Sequence, residues 1–175
     1  MGIGAQLSLA FVALMPLAVY GQGQTSRTLC SAEESVIFSC ALLPRKMVSL
    51  CSTPDTTTQS GGAIYRFGVP GRTPELTFPS PNVRPATAFK SHFYSWAKGS
   101  YSEISFSSGD YAYIIYNRRA AFSEHSRSNG GGIQVQESGK VIRDFWCNDS
   151  SIQDNILEAL PKLGLPKTEK PIRAP

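Results

Sequence analysis

Short β-forming segments separated by turns of serine and glycine constrain this chain more than any other feature of its sequence. Two pairs of segments face each other across a Ser-Gly turn, 101–106 with 111–116 and 132–136 with 141–146. Such pairs, rich in β-branched and aromatic residues, are typical of antiparallel hairpins. Shorter segments of the same kind lie at 35–40, 47–51, 63–68, 75–78 and 90–96. The pattern predicts a mainly β protein with a single antiparallel β-sandwich or barrel-like domain.

The first hairpin predicts which of its side chains enter the core. A tip at Ser108-Gly109 would pair Phe106 with Tyr111 and Ile104 with Tyr113, so we expect this face, completed by Ile115, to be buried. The sequence leaves open whether the opposite face is wet or covered by a second layer. That face carries Tyr101, Glu103, Ser105, Ile114 and Tyr116.

The C-terminal part of the chain changes its period from alternation to helical spacing. Apolar residues recur every three to four positions over 152–160, after serines that can cap a helix and before Pro161 and Gly164. We therefore expect a short C-terminal helix packed on the sheet. Residues 165–175 are rich in proline and charge, which predicts a disordered tail.

The N-terminus carries an apolar stretch, 7–19, before the first charged residue, Arg27. Its length suits a signal peptide and falls short of the about 20 residues of a transmembrane helix. Val19 and Gly21 favour cleavage after Gly21, which gives a signal peptide at 1–21 and a disulfide-bonded β domain at 22–164. An uncleaved N-terminal anchor is the alternative, because no lysine or arginine precedes the apolar stretch.

All of the cysteines follow the apolar stretch, and their number is even: Cys30, Cys40, Cys51 and Cys147. Export would bring them into an oxidising compartment, so two disulfides are expected from three possible pairings. A symmetric hairpin around 42–45 would set Cys40 opposite Cys51 and leave Cys30 to pair with Cys147. The spacing lacks the C-x-x-C pattern of zinc sites, and the sequence predicts no metal and no cofactor.

The charge of the chain is mildly positive, with a formal net charge of +4. Its basic residues are scattered rather than gathered beside aromatic residues, so we expect no nucleic-acid partner. A cationic exported protein suits an anionic polymer of the cell envelope or an acidic protein. We expect a periplasmic or secreted protein that binds another exported protein or such a polymer, with no stable membrane span after signal cleavage.

Catalytic motifs are absent from the sequence, which lacks a Gly-x-Ser-x-Gly nucleophile motif. Oxidised cysteines cannot supply a thiol nucleophile. A hydrolase would have to use His92 or His125 together with Glu103. The sequence therefore predicts no catalytic residue and no enzymatic activity, with a secreted hydrolase and a structural surface protein without a discrete site as the alternatives.

A series of short motifs runs from Cys30 to Cys147, at 38–40, 48–51, 65–68, 75–79, 101–106 and 111–113. Their order resembles a family of small exported bacterial proteins of unassigned function. The resemblance implies secretion and a β fold.

The stretch from Ser60 to Tyr65 is similar to a loop of periplasmic lysozyme inhibitors, with one residue more than their Ser-Gly-x-x-Tyr. Those inhibitors are small, disulfide-bonded β-barrels whose loop enters the lysozyme cleft. The similarity implies that Ser60, Gly61 and Tyr65 contact a target.

Two long polar loops, 52–62 and 118–131, complete the functional prediction. A rigid sheet would present both loops to a partner, with Arg118, Arg119 and His125 as contacts in the second. The sequence thus predicts an exported, non-enzymatic binding module. Its most concrete version is an inhibitor or immunity protein against a cell-wall hydrolase.

Overall fold

Two five-stranded antiparallel sheets form the framework of the protein. The computed structural model describes residues 1–2, 27–42, 44–80, 83–120 and 129–173. The predicted antiparallel β-sandwich with a short C-terminal helix is confirmed, since the sheets pack face to face around one core. Most of the predicted signal peptide lies outside the described residues.

Sheet A has the strand order β10-β1-β2-β3-β4. Its central strands β1 and β2 are buried along most of their length because they are apolar on the core face and carry small serines on the other. There the hydroxyls of Ser39 and Ser49 lie 2.8 Å apart and share a hydrogen bond. The strands are β1 (Ser35–Leu42), β2 (Lys46–Ser52), β3 (Ala63–Gly68), β4 (Leu76–Phe78) and β10 (Gln153–Asp154).

Sheet B contains the two predicted hairpins and has the strand order β5-β6-β7-β8-β9. Each strand pairs with the next along the chain, as in a meander. The strands are β5 (Lys90–Trp96), β6 (Gly99–Ser108), β7 (Tyr111–Ala120), β8 (Gly130–Glu137) and β9 (Lys140–Trp146).

The register of the β6–β7 hairpin differs by two residues from the predicted one. Phe106 pairs with Tyr113 and Ile104 with Ile115, because the turn lies at Gly109-Asp110 rather than at Ser108-Gly109. A shift by an even number of residues leaves every side chain on its original face. The predicted core face is therefore confirmed for Ile104, Phe106 and Ile115, which are buried, whereas Tyr111 at the end of that face is 38% exposed.

The core between the sheets is rich in aromatic rings. Phe106 stacks with Phe78 at a centroid distance of 4.3 Å and with Tyr113 at 4.8 Å. Tyr65 of sheet A lies 4.9 Å from the Phe106 ring and is 1% exposed. Full burial of one such side chain contributes about 1.5–3 kcal/mol, so these rings join the two sheets firmly.

The two disulfides are Cys30–Cys51 and Cys40–Cys147, which corrects the predicted pairing. The β1–β2 turn is centred on Pro44, so Cys40 pairs with Val48 across the ladder and lies well away from Cys51. A disulfide requires about 5–6 Å between the Cα atoms of its two cysteines. Cys40 meets this requirement with Cys147, at 5.7 Å. This bond ties sheet A to the end of β9.

The C-terminal helix starts later than predicted. Residues Asp149–Ser151 form a 3-10 turn and β10 then pairs with β1, so helix α2 (Ile156–Leu163) begins after Asn155. Pro161 lies inside the helix, and Gly164 ends it with a positive φ of 59°. A shorter helix, α1 (Pro85–Ala88), precedes β5. No helix in the described ranges has the length and hydropathy to cross a membrane.

The C-terminal segment, residues 165–173, packs along sheet B instead of being the disordered tail that its composition predicts. Leu165 is buried, and Lys167 bridges to Ser91 at the β5 edge. The segment then crosses the sheet, where Ile172 donates its backbone N–H to Glu103. Hydrogen-bond partners on the sheet thus order a segment that has little apolar surface of its own.

Candidate functional site

The face of sheet B that points away from sheet A carries an unusual concentration of aromatic and charged side chains. Alternation along a strand places every second residue there, and these residues come from all five strands. The face is covered rather than wet at its centre, where Glu103 is 0% exposed and Tyr116 2%. Covering is supplied by the C-terminal segment, which answers the question that the sequence left open.

A buried carboxylate, that of Glu103, anchors the C-terminal segment. Its oxygens accept hydrogen bonds from the Tyr101 hydroxyl at 2.7 Å and from the backbone N–H of Ile172 at 2.6 Å. The N–H of Arg173 is 3.4 Å away. A buried carboxylate is tolerated only when donors surround it, and here the tail provides two of them.

A series of side-chain amides extends this hydrogen-bond network across sheet B. Gln136 donates to the carbonyl oxygen of Ile172 and to the side chain of Gln134, each at 2.9 Å. Gln134 in turn donates to Asp144 at 3.2 Å. The backbone of Ile172 is therefore held through both its N–H and its C=O.

The side chain of Arg173 fills a cage made by two aromatic rings and one carboxylate. Its guanidinium lies 4.0 Å from the Tyr116 ring centroid and 5.8 Å from that of Trp146, and it pairs with Asp144 at 2.8 Å. Gly132 leaves room for this cage, because a Cβ there would lie 2.6 Å from the Tyr116 hydroxyl. The pKa of Arg173 is raised despite burial because Tyr116 and Asp144 favour the charged form.

Two tyrosines of this face, Tyr101 and Tyr116, have a raised pKa and stay protonated. Burial and the neighbouring Glu103 raise the pKa of Tyr101, and burial together with Asp144 raises the pKa of Tyr116. Each hydroxyl donates to its carboxylate, which leaves the oxygens of Glu103 and Asp144 occupied. These hydrogen bonds fix the two tyrosine side chains on the outer face.

A cleft of about 230 Å³ remains open beside the tail, and we call it the outer-face cleft. Its wall includes Gly130 and Pro171, and its described lining contains no carboxylate. The other lining side chains are four aromatic residues and two arginines: Tyr94, Tyr101, Tyr116, Trp146, Arg118 and Arg173.

The cleft continues into an exposed aromatic row on β5. Tyr94 is 46% exposed, and its ring lies 5.6 Å from that of Trp96. Trp96 folds back over Gly99, where a Cβ would lie 2.4 Å from the indole ring. On the other side of the cleft Trp146 is 41% exposed. Flat ring faces are therefore available to a ligand.

Of the two arginines predicted as contacts, the structure places only Arg118 at the cleft. Its guanidinium lies 5.7 Å from the Trp96 ring centroid, and no described carboxylate is within ion-pairing distance of it. Arg119 points to the other face of β7 and pairs with Asp154 at 2.9 Å. Strand alternation separates the neighbours.

The predicted contacts in the stretch similar to the inhibitor loop also differ in position, because Ser60 is exposed and Tyr65 is buried. Ser60 is exposed and donates to the Asp55 carbonyl oxygen, and Gly61 has a positive φ of 77° in close contact with the Thr56 backbone. Tyr65 is a correction to the prediction, because it lies in the core and cannot contact a partner. Burial also raises the pKa of its hydroxyl.

The residues of the hydrolase alternative are held by the C-terminal segment. His92 and Glu103 face each other across β5 and β6. His92 lies 2.9 Å from the Thr168 carbonyl oxygen through Nδ1, and Glu103 accepts from Ile172. His125 lies outside the described residues.

Sequence reasoning missed the aromatic row and the role of Arg173. Tyr94 and Trp96 lie two residues apart on β5, which places them on the same face of the strand. Their position beside the cleft depends on the sheet order, which the sequence does not reveal. Nothing in the composition of the tail indicates a partly buried arginine.

A larger groove of about 550 Å³ lies between α2, the C-terminal segment and the edge of β5. It is lined mainly by apolar side chains, including the exposed Phe93 and Leu157. Lys167 is the single charged side chain among its described lining residues. Ligand sites generally combine an apolar wall with several convergent polar groups, which favours the outer-face cleft.

Comparisons with known proteins give no family for this chain. No family model, no curated protein and no solved structure matches it.

Proposed function

We propose that this chain is an exported, non-enzymatic binding module whose contact surface is the outer-face cleft. The observation that carries the proposal is Arg118, a guanidinium held over Trp96 between exposed aromatic rings and without a described acidic partner. Aromatic residues and arginine are the side chains that contribute most binding energy at protein interfaces. A preformed cleft also saves the entropy of ordering these side chains.

Location outside the cytosol is supported by the two disulfides, which are typical of oxidising compartments. The carboxylates of Glu103 and Asp144 support binding rather than catalysis, because each already accepts hydrogen bonds from neighbouring groups. The partner in this proposal is another exported protein or a cell-envelope polymer.

Capture from the source's own extracellular or periplasmic fraction tests this proposal. The oxidised chain, the double variant Trp96→Ala/Arg118→Ala and the control Arg72→Ala would be immobilised separately, since Arg72 is exposed in the connection between β3 and β4 of sheet A. We expect the native chain and the control to retain the same partner and the double variant to lose it. Retention of nothing, or equal retention by all three, would overturn the proposal.

Inhibition of a cell-wall hydrolase is the second candidate function, and it rests on the loop after β2. Residues 54–60 protrude from sheet A but are internally fixed, since Thr53 bonds Gly62 and Thr57 bonds Ser60 through backbone atoms. Rigid, exposed loops suit insertion into an enzyme cleft. We expect inhibition of a lysozyme-type enzyme at micromolar concentration, lost on Gln59→Arg at the exposed tip. A panel of such enzymes with full activity would reject this version.

A further inference from the structure

The outer-face cleft combines two kinds of binding group, aromatic rings and a cation, and together they favour one class of ligand. One part consists of flat aromatic faces, of which those of Tyr94 and Trp146 are about half exposed, at 46% and 41%. The other is the Arg118 guanidinium at the rim. A ligand that fits must combine a flat apolar face with a negative charge.

The two arginines of the cleft are not equivalent toward an anion. Arg173 is already neutralised by Asp144 and stacked on Tyr116, so little of its charge is left for a ligand. The Arg118 guanidinium lies 5.7 Å from the Trp96 ring centroid and forms no ion pair with a described carboxylate, so its N–H edge can take a ligand. Such an edge matches a carboxylate with two parallel hydrogen bonds.

The spacing of the rings favours an extended ligand over a compact one. Tyr94 lies 5.6 Å from Trp96 and 5.4 Å from Tyr101, so several rings line one path along β5 into the cleft. A pyranose ring packs its face of C–H groups on an aromatic ring and keeps its hydroxyls in water. Consecutive sugars of a chain can therefore use consecutive rings.

A nucleic acid fits this surface less well, although its bases also stack on aromatic rings. Its backbone carries a charge at every nucleotide and needs several cations along the groove. The described lining of the cleft supplies one guanidinium without an acidic partner. Sparse carboxylates on a sugar chain match that single cation.

We propose that the outer-face cleft binds a carboxylated glycan chain, with sugar rings on Tyr94 and Trp146 and a uronate carboxylate on Arg118. This inference rests on the proposed function and names the ligand class of the same surface. Binding is reversible, and no bond in the glycan is broken.

The two tryptophans of the chain, Trp96 and Trp146, both lie at this site, so intrinsic fluorescence reports on it directly. Xylo-oligosaccharides of defined length that carry one glucuronate each would be titrated into the full oxidised chain, with calorimetry as the second measurement. We expect saturable binding that is at least tenfold weaker for the methyl-esterified oligomer. Arg118→Ala should weaken binding at least tenfold, and the control Arg72→Ala should not change it.

Three further results would overturn the inference. One is equally tight binding of polyglutamate or of oligothymidylate through Arg118, which would mean that the site responds to charge alone. Another is the absence of binding by every acidic oligosaccharide tested. The last is loss of binding in Arg118→Ala that is accompanied by a lowered unfolding midpoint, because the loss would then reflect unfolding. The inference survives that result only if Arg118→Lys restores the midpoint and still binds the acid form more tightly than the ester.

The result of the capture experiment separates the two proposals. If a partner is retained through Trp96 and Arg118 but no glycan binds, the binding module stands and the ligand class is wrong. If neither a partner nor a glycan binds, both proposals fall.

Discussion

Arg173 lies with its guanidinium 4.0 Å from the ring centroid of Tyr116 in the middle of sheet B. The contact closes a network that spans β6 to β9, because Arg173 also pairs with Asp144. A terminal segment is thus a structural layer of the sandwich. It also forms one wall of the outer-face cleft.

Removal of the Arg173 side chain should destabilise the fold. Arg173→Ala loses the cation–π contact and the ion pair and leaves Asp144 partly buried with one donor fewer. We expect a loss of about 1–3 kcal/mol in the free energy of unfolding, measured by urea titration. Arg72→Ala, at an exposed turn, should change it by less than about 0.5 kcal/mol. Equal stability of the two variants would show that the cage contributes nothing.

The Glu103 carboxylate should control how firmly the C-terminal segment is attached. Glu103→Gln keeps the shape but turns an amide NH₂ toward groups that are themselves donors, the Tyr101 hydroxyl and the Ile172 N–H. An unmade hydrogen bond in a buried site costs about 1–3 kcal/mol.

Hydrogen exchange measures this effect locally. We expect faster exchange at the amides of residues 172 and 173 in Glu103→Gln, with β1 and β2 unchanged. Glu158→Gln, on the exposed face of α2, is the matched control. Unchanged protection at residue 172 would contradict the anchoring role of Glu103.

The sandwich itself is predictable because its sequence follows the rules of strands and turns closely. Alternation placed Ile104, Phe106 and Ile115 in the core even though the hairpin register was wrong by two residues. Adjacent Ser108-Gly109 and Gly109-Asp110 are both good turn sequences, so local chemistry cannot choose between them. Only the packing of the finished sheet decides.

The candidate site was less predictable because its parts come from distant segments. Arg118 was expected as a contact and lies at the cleft, but its neighbours Trp96 and Trp146 belong to strands that meet β7 only through the sheet order. The prediction that Tyr65 contacts a partner was wrong because its side chain lies on the core face of β3. The prediction of a disordered tail was wrong because the order of this segment depends on partners such as Glu103 rather than on its own composition.

The ion pair between Glu34 and Arg66 should make the free energy of unfolding depend on pH in the acidic range. Arg66 donates to both oxygens of Glu34, at 2.6 and 2.8 Å, and the Ser31 N–H donates to one of them. Burial opposes ionisation, but these bonds to Arg66 and Ser31 lower the pKa of Glu34 below its usual value. Its stabilising contribution is therefore complete above the unfolded-state pKa, about 4.3, and is lost as the pH falls through the folded-state pKa.

A comparison with Glu34→Gln measures that contribution. At neutral pH we expect the variant to be less stable by about 1–3 kcal/mol, and the difference should shrink as the pH is lowered from 7 toward 3. Glu33→Gln, at the exposed neighbouring position, serves as the control. A difference between native chain and variant that stays constant over this range would contradict the sign of the pKa shift.

The two disulfides should differ in how much they stabilise the protein. Cys40–Cys147 closes a separation of 107 residues and Cys30–Cys51 one of 21, so the first restricts the unfolded chain more. Loop-closure entropy gives about 5 kcal/mol for the long cross-link and about 3 kcal/mol for the short one. Replacing both members of each pair by alanine should therefore lower stability more in Cys40→Ala/Cys147→Ala. Peptide mapping without reduction checks the premise, and a fragment linking Cys40 to Cys51 would refute it.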